Sequence, residues 1–136
     1  GLMLKFECLF CEKCCYFEDE EEMPVVFEDE VRRLRALRDD LEFVPFGDGR
    51  YRWIIRGYCP FFDREKRRCK IHEHKPTSCR IYPLILMGDG NLAISEECEW
   101  VKEHPEVKEM EFRELLLVFE NEFRALFRRL LGFVNK

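Results

Sequence analysis

Eight cysteines are the residues of this 136-residue chain most able to do chemistry. Three of them follow the spacing Cys8-x2-Cys11-x2-Cys14, and Cys15 comes directly after. The others are Cys59, Cys69, Cys79 and Cys98. A loop whose cysteines have two residues between them can fold around one metal ion or cluster, with its backbone amides turned toward the sulfurs. Because close thiolates repel one another unless a cation neutralises them, the pattern predicts metal ligation by all eight cysteines.

Disulfide formation and simple burial account for the cysteine pattern less well than metal ligation does. A disulfide framework is favoured by the even number of cysteines, but cytosolic thiols are kept reduced, and the close N-terminal spacing would strain most pairings. Burial as a small hydrophobic residue accounts for one or two cysteines and not for a cluster. Metal ligation is therefore the interpretation that we carry forward.

The cysteine pattern favours an iron–sulfur cluster over zinc by a small margin. The N-terminal run is similar to the bacterial ferredoxin pattern C-x2-C-x2-C-x3-C-P with its fourth ligand displaced. Zinc in closed four-thiolate sites uses the same atoms, and eight thiols would make two such sites. Cys14 and Cys15 are adjacent, so both can serve one metal only if the backbone turns there. We expect an iron–sulfur cluster as first choice and zinc as the alternative.

Histidine is expected to contribute little to the centre. His72 has ligand spacing from Cys69, but we favour a structural or hydrogen-bonding role for it. His74 and His104 are expected at the surface. Cations lie between or beside the cysteines, where they either lower the thiolate pKa values or form an ordinary basic loop. These cations are Arg67, Arg68, Lys70, Lys75 and Arg80.

Four segments within about residues 6 to 100 carry a family resemblance. They are Cys8-Leu9-Phe10-Cys11-Glu12-Lys13-Cys14-Cys15, Cys59-Pro60-Phe61-Phe62-Asp63, Cys69-Lys70-Ile71-His72 and Lys75-Pro76-Thr77-Ser78-Cys79-Arg80-Ile81-Tyr82-Pro83. Together they resemble the YkgJ-type CxxCxxCC cysteine-cluster family, a zinc- or iron-chelating type of domain. Many relatives have Gly where this chain has Glu12, and often Arg where it has Lys75. Neither departure removes a thiol, so the resemblance implies metal ligation here too.

The sequence names no substrate. It contains no nucleotide-binding motif, paired-carboxylate signature or Ser/His/Asp set. The family also resembles the cysteine-rich part of flagellin lysine N-methylases, but no region of this chain is recognisable as a methyl-donor site, and we do not infer that activity. Two function classes follow: a redox or cofactor-dependent iron–sulfur protein, or a zinc-binding structural module that mediates protein or RNA interaction.

Composition limits the partners and the location. With 136 residues and 46% hydrophobic content, we expect a single domain over residues 1–136. The net charge of −5 leaves a nucleic-acid partner unsupported, while an unknown protein partner fits the second function class. No stretch approaches the roughly 20 apolar residues of a membrane span. The N-terminus also lacks the basic and apolar regions of a signal peptide, so we expect a cytoplasmic protein without a membrane partner.

The helices and strands that must position the cysteines can be predicted from the sequence pattern. Together they indicate an α+β fold: a small cysteine-rich metal-binding domain with short β-hairpins, one mid-chain helix and a long C-terminal amphipathic helix. Turns at residues 47–49 and 88–90, each flanked by apolar runs, predict two hairpins. A helix is predicted from about residue 28 to 40, because apolar residues recur three and four apart. Its apolar stripe is Phe27, Val31, Leu34, Leu37 and Leu41. Its arginines, which we expect on a solvated, ion-paired face, are Arg32, Arg33, Arg35 and Arg38.

The C-terminal region, residues 105–132, is predicted to be one long helix that ends near Gly132. Its apolar stripe is Phe112, Leu116, Phe119, Phe123, Leu126 and Leu130. A face of this kind packs either inside its own monomer or against a second copy. We favour a monomer slightly over a homodimer, since the chain has few other helices with which to build a core.

Overall fold

The computed structural model of the protein describes residues 4–9, 12–45, 47–71, 74–87 and 89–134. Its helices are α1 (Glu28–Leu37), α2 (Thr77–Arg80), α3 (Glu99–Glu103), α4 (Phe112–Val118) and α5 (Glu120–Val134). Its strands are β1 (Tyr16–Phe17), β2 (Val25–Phe27), β3 (Glu42–Pro45), β4 (Arg50–Ile54), β5 (Gly57–Tyr58), β6 (Phe62–Asp63), β7 (Arg68–Cys69), β8 (Leu84–Leu86) and β9 (Leu92–Ile94). The mixture of helices and short hairpins confirms the expected α+β fold.

The described strands pair in small antiparallel sheets. β2, β4 and β3 form a three-stranded sheet with β4 in the centre, whereas β1–β5, β6–β7 and β8–β9 are two-stranded. Both predicted hairpins are present, as β3–β4 and β8–β9. In the first turn Gly47 and Gly49 have φ angles of 97° and 71°, which glycine adopts at little cost. The turn residues therefore fix the register that pairs Pro45 with Tyr51.

Helix α1 confirms the mid-chain helix but ends three residues earlier than predicted. The backbone of Arg38 is extended, and its N–H donates to the Leu34 carbonyl oxygen at 3.0 Å. Val31 and Leu34 are buried, while Leu37 is exposed because the chain leaves the helix there. The arginine face is solvated as expected, and Arg32 pairs with Glu28 at 3.7 Å.

The C-terminal helix is present, but it is not one continuous helix from residue 105. Residues Pro105–Glu109 form a 3-10 turn, and Phe119 separates α4 from α5. The break has a tertiary cause: the Val118 carbonyl oxygen accepts the N–H of Phe6 at 2.9 Å. Gly132 does not end α5, which continues to Val134. Phe119 is fully buried at the break, in contact with Phe6 and Trp100.

The buried apolar side chains form two clusters. The first packs α1 against β4 and the segments that carry Cys15 and Cys59, with Trp53 at its centre. The second packs α3, α4 and α5 around Trp100 and Phe119, next to Ile81 at the end of α2. Helix α2, which carries Cys79, contacts both β2 and α5. It therefore lies between the two clusters.

Among the described residues, no helix has both the length and the apolar character needed to cross a membrane.

Candidate metal centre

Five cysteines from separate parts of the chain surround one small cavity, which we call the thiol cavity. They are Cys14, Cys15, Cys59, Cys69 and Cys79. The remaining lining residues are Phe17, Trp53, Ile55, Ile71, Lys75 and Pro76. The cavity has a volume of about 10 Å³. The fold thus gathers residues separated by up to 65 positions (79 minus 14) into one sulfur-lined space.

A tight turn directs both adjacent cysteines to the cavity. Glu12 has a left-handed backbone, with φ at 73°, and its carbonyl oxygen accepts the N–H of Cys15 at 2.9 Å. Residues Lys13–Cys15 form a 3-10 turn, so the backbone bends where the adjacent cysteines require it. A left-handed position favours glycine, which explains the glycine that many relatives carry here. Glu12 is also held by Arg67, 2.9 Å from its Oε1, and by the Tyr58 hydroxyl at 3.2 Å.

Short strand pairings attach Cys59 and Cys69 to the turn. The Cys59 N–H donates to the Cys15 carbonyl oxygen at 2.7 Å, directly after β1 has paired with β5. Cys69 lies opposite Phe62 in the β6–β7 hairpin, and the Lys70 N–H donates to the Phe61 carbonyl oxygen. These backbone hydrogen bonds place the two thiols on the same side as Cys14 and Cys15.

Cys79 reaches the cavity from the single turn of α2. The Cys79 N–H donates to the Pro76 carbonyl oxygen at 3.0 Å. The start of this turn is anchored by the buried carboxylate of Glu30, which accepts hydrogen bonds from Thr77. Ser78 Oγ donates to the carbonyl oxygen of Val25 in β2. The helix is thus fixed to α1 and to the three-stranded sheet.

The cavity thiols differ strongly in proton affinity. A hydrogen bond from Cys15, at a Sγ–Sγ distance of 3.8 Å, lowers the pKa of the Cys14 thiol to about 7, and the charge of Lys75 contributes. The same hydrogen bond, together with burial, raises the pKa of Cys15. Burial also raises the pKa of Cys59 to about 12 and the pKa of Cys79 well above its ordinary value. Neighbouring thiols strengthen each increase, because several thiolates cannot be buried together without a cation.

The charges of Lys75 and Arg38 influence the pKa values of these thiols, and only Lys75 is among the cations named from the sequence. Lys75 lines the cavity, helps to lower the pKa of Cys14 and offsets part of the increase in the pKa of Cys79. Arg38, which follows α1, offsets part of the increase in the pKa of Cys59. Arg38 precedes Cys59 by 21 residues, and that spacing does not indicate that the two lie close together. Arg67, in contrast, pairs with Glu12, and the Arg80 Nε donates to the Lys75 carbonyl oxygen.

The other candidate ligands either do not line the thiol cavity or fall outside the described residues. Cys8 is exposed, and Cys98 is buried in the second apolar cluster beside Trp100 and Val101. Cys11 lies outside the described residues. Ligation by these three cysteines remains a prediction. Within the described ranges no cysteine forms a disulfide, and no group of three or more His, Cys, Asp or Glu side chains is already arranged to hold an ion.

The histidine expectations have different outcomes. His72 also lies outside the described residues, so its expected structural role remains a prediction. The surface position expected of His74 is confirmed. For His104 that expectation is wrong, because the residue is half-buried and its ring stacks on Trp100 with centroids 4.2 Å apart. Its Nδ1 lies 2.9 Å from the Trp100 carbonyl oxygen.

A larger, more open cavity of about 190 Å³ adjoins the thiol cavity. Cys14 and Cys79 line both spaces, so these two thiols lie between them. Tyr82 and Ser95 also line the open cavity, and their hydroxyl oxygens are 3.0 Å apart. A small molecule in the open cavity would therefore lie beside the thiols of Cys14 and Cys79.

The ligand chemistry and the fold define a cysteine-cluster domain of the metal-chelating class, because soft thiols from several segments surround one space. The chain belongs to the CxxCxxCC family, described as "Putative zinc- or iron-chelating domain", whose model matches residues 7–112. This confirms the family expected from the quoted motifs. Comparison with curated proteins and with solved structures gives no match.

Proposed function

We propose that the protein holds an iron–sulfur cluster at the thiol cavity and uses it in a redox or cofactor-dependent role. The observation that carries this proposal is the convergence of five thiols on one enclosed space. Of the described residues that line this space, none offers a carboxylate or imidazole, so the donor set is entirely soft. All-thiolate ligation of this kind suits an iron–sulfur cluster.

The proposed ligands are drawn from the cavity thiols, with Cys14, Cys59, Cys69 and Cys79 as the first set. An iron–sulfur cluster needs four thiolates, so Cys15 is left outside the ligand set; its raised pKa and the lowered pKa of Cys14 make it the donor of the hydrogen bond between them. When bound, the cluster would supply one-electron transfer. The chain's own residues supply the rest: Lys75 and Arg38 offset the negative charge of the thiolates, and the open cavity gives small molecules access to Cys14 and Cys79.

The identity of the bound metal can be tested by purifying the protein without air from cells supplied with iron. We expect iron and acid-labile sulfide in the protein, with a broad visible absorption that bleaches on chemical reduction. A colourless protein that carries stoichiometric zinc under these conditions would overturn the iron–sulfur proposal.

Paired cysteine variants test the location of the centre. Cys79→Ser should lower both bound metal and stability, because a ligand lost from a site that forms on folding removes folding free energy. Cys98→Ala is the matched control, since Cys98 packs in the second apolar cluster. We expect it to keep the metal bound at the thiol cavity, at a small cost in stability, whether or not Cys98 binds a separate ion. Unchanged metal in Cys79→Ser, or complete loss in Cys98→Ala, would contradict the location.

Zinc is the second candidate, and the small volume of the thiol cavity favours it. The Sγ atoms of Cys14 and Cys15 are 3.8 Å apart. Four sulfurs placed tetrahedrally about 2.3 Å from a zinc ion are separated by about 3.8 Å. The thiol cavity, at about 10 Å³, also has the size of a single ion. A zinc centre would stabilise the fold and leave a protein- or RNA-binding role, and the metal analysis described above separates it from the first proposal.

A further inference from the structure

Glu30 is a buried carboxylate that joins α1 to the turn bearing Cys79. Only 2% of the residue is exposed. Its Oε1 accepts the N–H of Phe27 at 3.0 Å, at the start of α1. Its Oε2 accepts both the N–H and the Oγ1 hydroxyl of Thr77, at 2.8 and 3.0 Å, and Arg33 lies 3.9 Å away. Burial of a charge is costly unless hydrogen bonds compensate it, and here both oxygens have donors.

Helix α2 depends on such contacts for its position. It has four residues, Thr77–Arg80, and no side chain of its own caps its first turn. Isolated helices of this length do not form, because nucleation costs more than one turn of hydrogen bonds returns. The Glu30 carboxylate replaces the missing cap from another element, 47 residues earlier in the chain. The hydroxyl of Ser78 adds a second attachment, to the carbonyl oxygen of Val25.

We propose that Glu30 is a positioning residue of the metal centre. By fixing the first residue of α2, its Oε2 orients Cys79, two positions later, toward the thiol cavity. This inference rests on the proposed function, since it needs Cys79 to bind metal. Glu30 would act on the centre from outside the ligand set, as the hydrogen-bond partners of metal ligands generally do.

Glu30→Gln tests this role with little change in shape. The Gln Oε1 can still accept the Phe27 N–H, but its NH2 group then faces the Thr77 N–H, so a donor meets a donor. We expect the Zn²⁺ dissociation constant of the reduced protein, measured by chelator competition, to rise roughly 10- to 100-fold. The visible spectrum of the loaded protein should also shift, which a purely structural role would not cause.

Asp29→Asn is the matched control. Asp29 is adjacent on the same helix turn but binds Arg129 of α5, not α2. The Asp29→Asn variant should have a lower unfolding temperature, but the same metal dissociation constant and spectrum as the protein without substitutions. Thr77→Val, which keeps the N–H and removes only the hydroxyl, should weaken metal binding less than Glu30→Gln. It also provides the test if Glu30→Gln fails to fold.

Three outcomes decide the question. Unchanged metal affinity and spectrum in Glu30→Gln, or in Thr77→Val where the Gln variant does not fold, would overturn the inference. So would an equal loss of affinity in Asp29→Asn, because the effect would then be general destabilisation. If the protein without any substitution binds no metal, the proposed function is overturned, and this inference with it.

Discussion

Burial leaves most thiols of the cavity protonated at neutral pH. The pKa of Cys59 is raised to about 12 and that of Cys79 well above its ordinary value, whereas that of Cys14 is lowered to about 7. Since metals bind the thiolate, Cys59 and Cys79 must each release a proton on binding, while Cys14 is largely ionised above pH 7. The proton release therefore couples metal affinity to pH.

Metal affinity should rise steeply between pH 7 and 9. The two protons released by Cys59 and Cys79 alone predict an increase of at least about 100-fold in the association constant for each pH unit. Zn²⁺ titration of the reduced, metal-free protein against a chromophoric chelator at several pH values would measure this slope. A pH-independent association constant would show that these thiols are not ligands.

The same pKa shifts affect the metal-free fold. For Cys59 and Cys79 the folded pKa exceeds the unfolded value of 9.0, so their contribution to stability is complete below pH 9 and is lost as pH rises further, for Cys59 toward about 12. Cys14 acts in the opposite direction, and its contribution is lost as pH falls from 9 to about 7. The metal-free protein is therefore expected to be most stable near pH 9 with respect to these three groups.

At the scale of the elements, the turn at Glu12 holds a conformation that an L-residue adopts at a cost. The left-handed backbone costs roughly 1–2 kcal/mol for residues other than glycine. The side chain partly offsets this through Arg67 and the Tyr58 hydroxyl. Strain and compensation therefore act at the same residue, beside the cysteine pair.

Comparison of Glu12→Ala with Glu12→Gly separates these two terms. Both variants lose the contacts to Arg67 and Tyr58, but only glycine relieves the backbone. We expect the glycine variant to be more stable than the alanine variant by about 1 kcal/mol, measured by urea unfolding of the metal-free protein. If alanine were the more stable, the turn would not require the left-handed conformation.

The sequence predicted those elements whose signals are local. Glycines at residues 47 and 49 and flanking apolar runs predicted β3–β4, and the three-four periodicity predicted α1. The break at Phe119 could not be predicted, because it follows from the contact between Phe6 and the Val118 carbonyl oxygen. Residues distant in sequence determine such contacts, and periodicity within one segment carries no signal of them.

The candidate site was predictable in composition and not in arrangement. The spacing of the cysteines and the quoted motifs indicated thiol ligation, and the family match supports zinc or iron chelation. Which thiols converge depends on the β1–β5 and β6–β7 pairings, each only two residues long. The roles of Glu30 and Arg38 depend on how α1 packs against its neighbours, so the sequence showed them only as charges on a helix.

At the scale of the whole molecule, α2 connects the metal centre to both apolar clusters. Glu30 fixes its start to α1, and Ile81, just after its end, is fully buried in the second cluster. Arg129 of α5 donates to Asp29 of α1, 2.7 Å from Nη1 to Oδ2, and its guanidinium lies over the Phe27 ring. Helix α2 itself contacts α5, so loss of packing around α5 should reach Cys79 through α2 without involving the Asp29–Arg129 pair.

Two phenylalanines on α5, one helical turn apart, test this coupling. Phe123 is 3% exposed within the second cluster, whereas Phe127 is 40% exposed. Phe123→Asp would bury an unpaired charge and forfeit roughly 3–5 kcal/mol of packing, so we expect unfolding and release of metal. Phe127→Asp should remain folded and metal-bound, with a small loss from its contact with the Phe123 ring.

Size-exclusion chromatography, circular dichroism and metal analysis on both variants separate self-packing from dimer formation. If the α5 face closes the core of its own monomer, as its buried residues Phe123 and Leu126 favour, Phe123→Asp should lose folding and metal together, whereas Phe127→Asp should lose neither. An α5 face that instead pairs with a second copy would turn a dimeric parent into a folded, metal-loaded monomer. That second result would contradict the monomeric state that we expect.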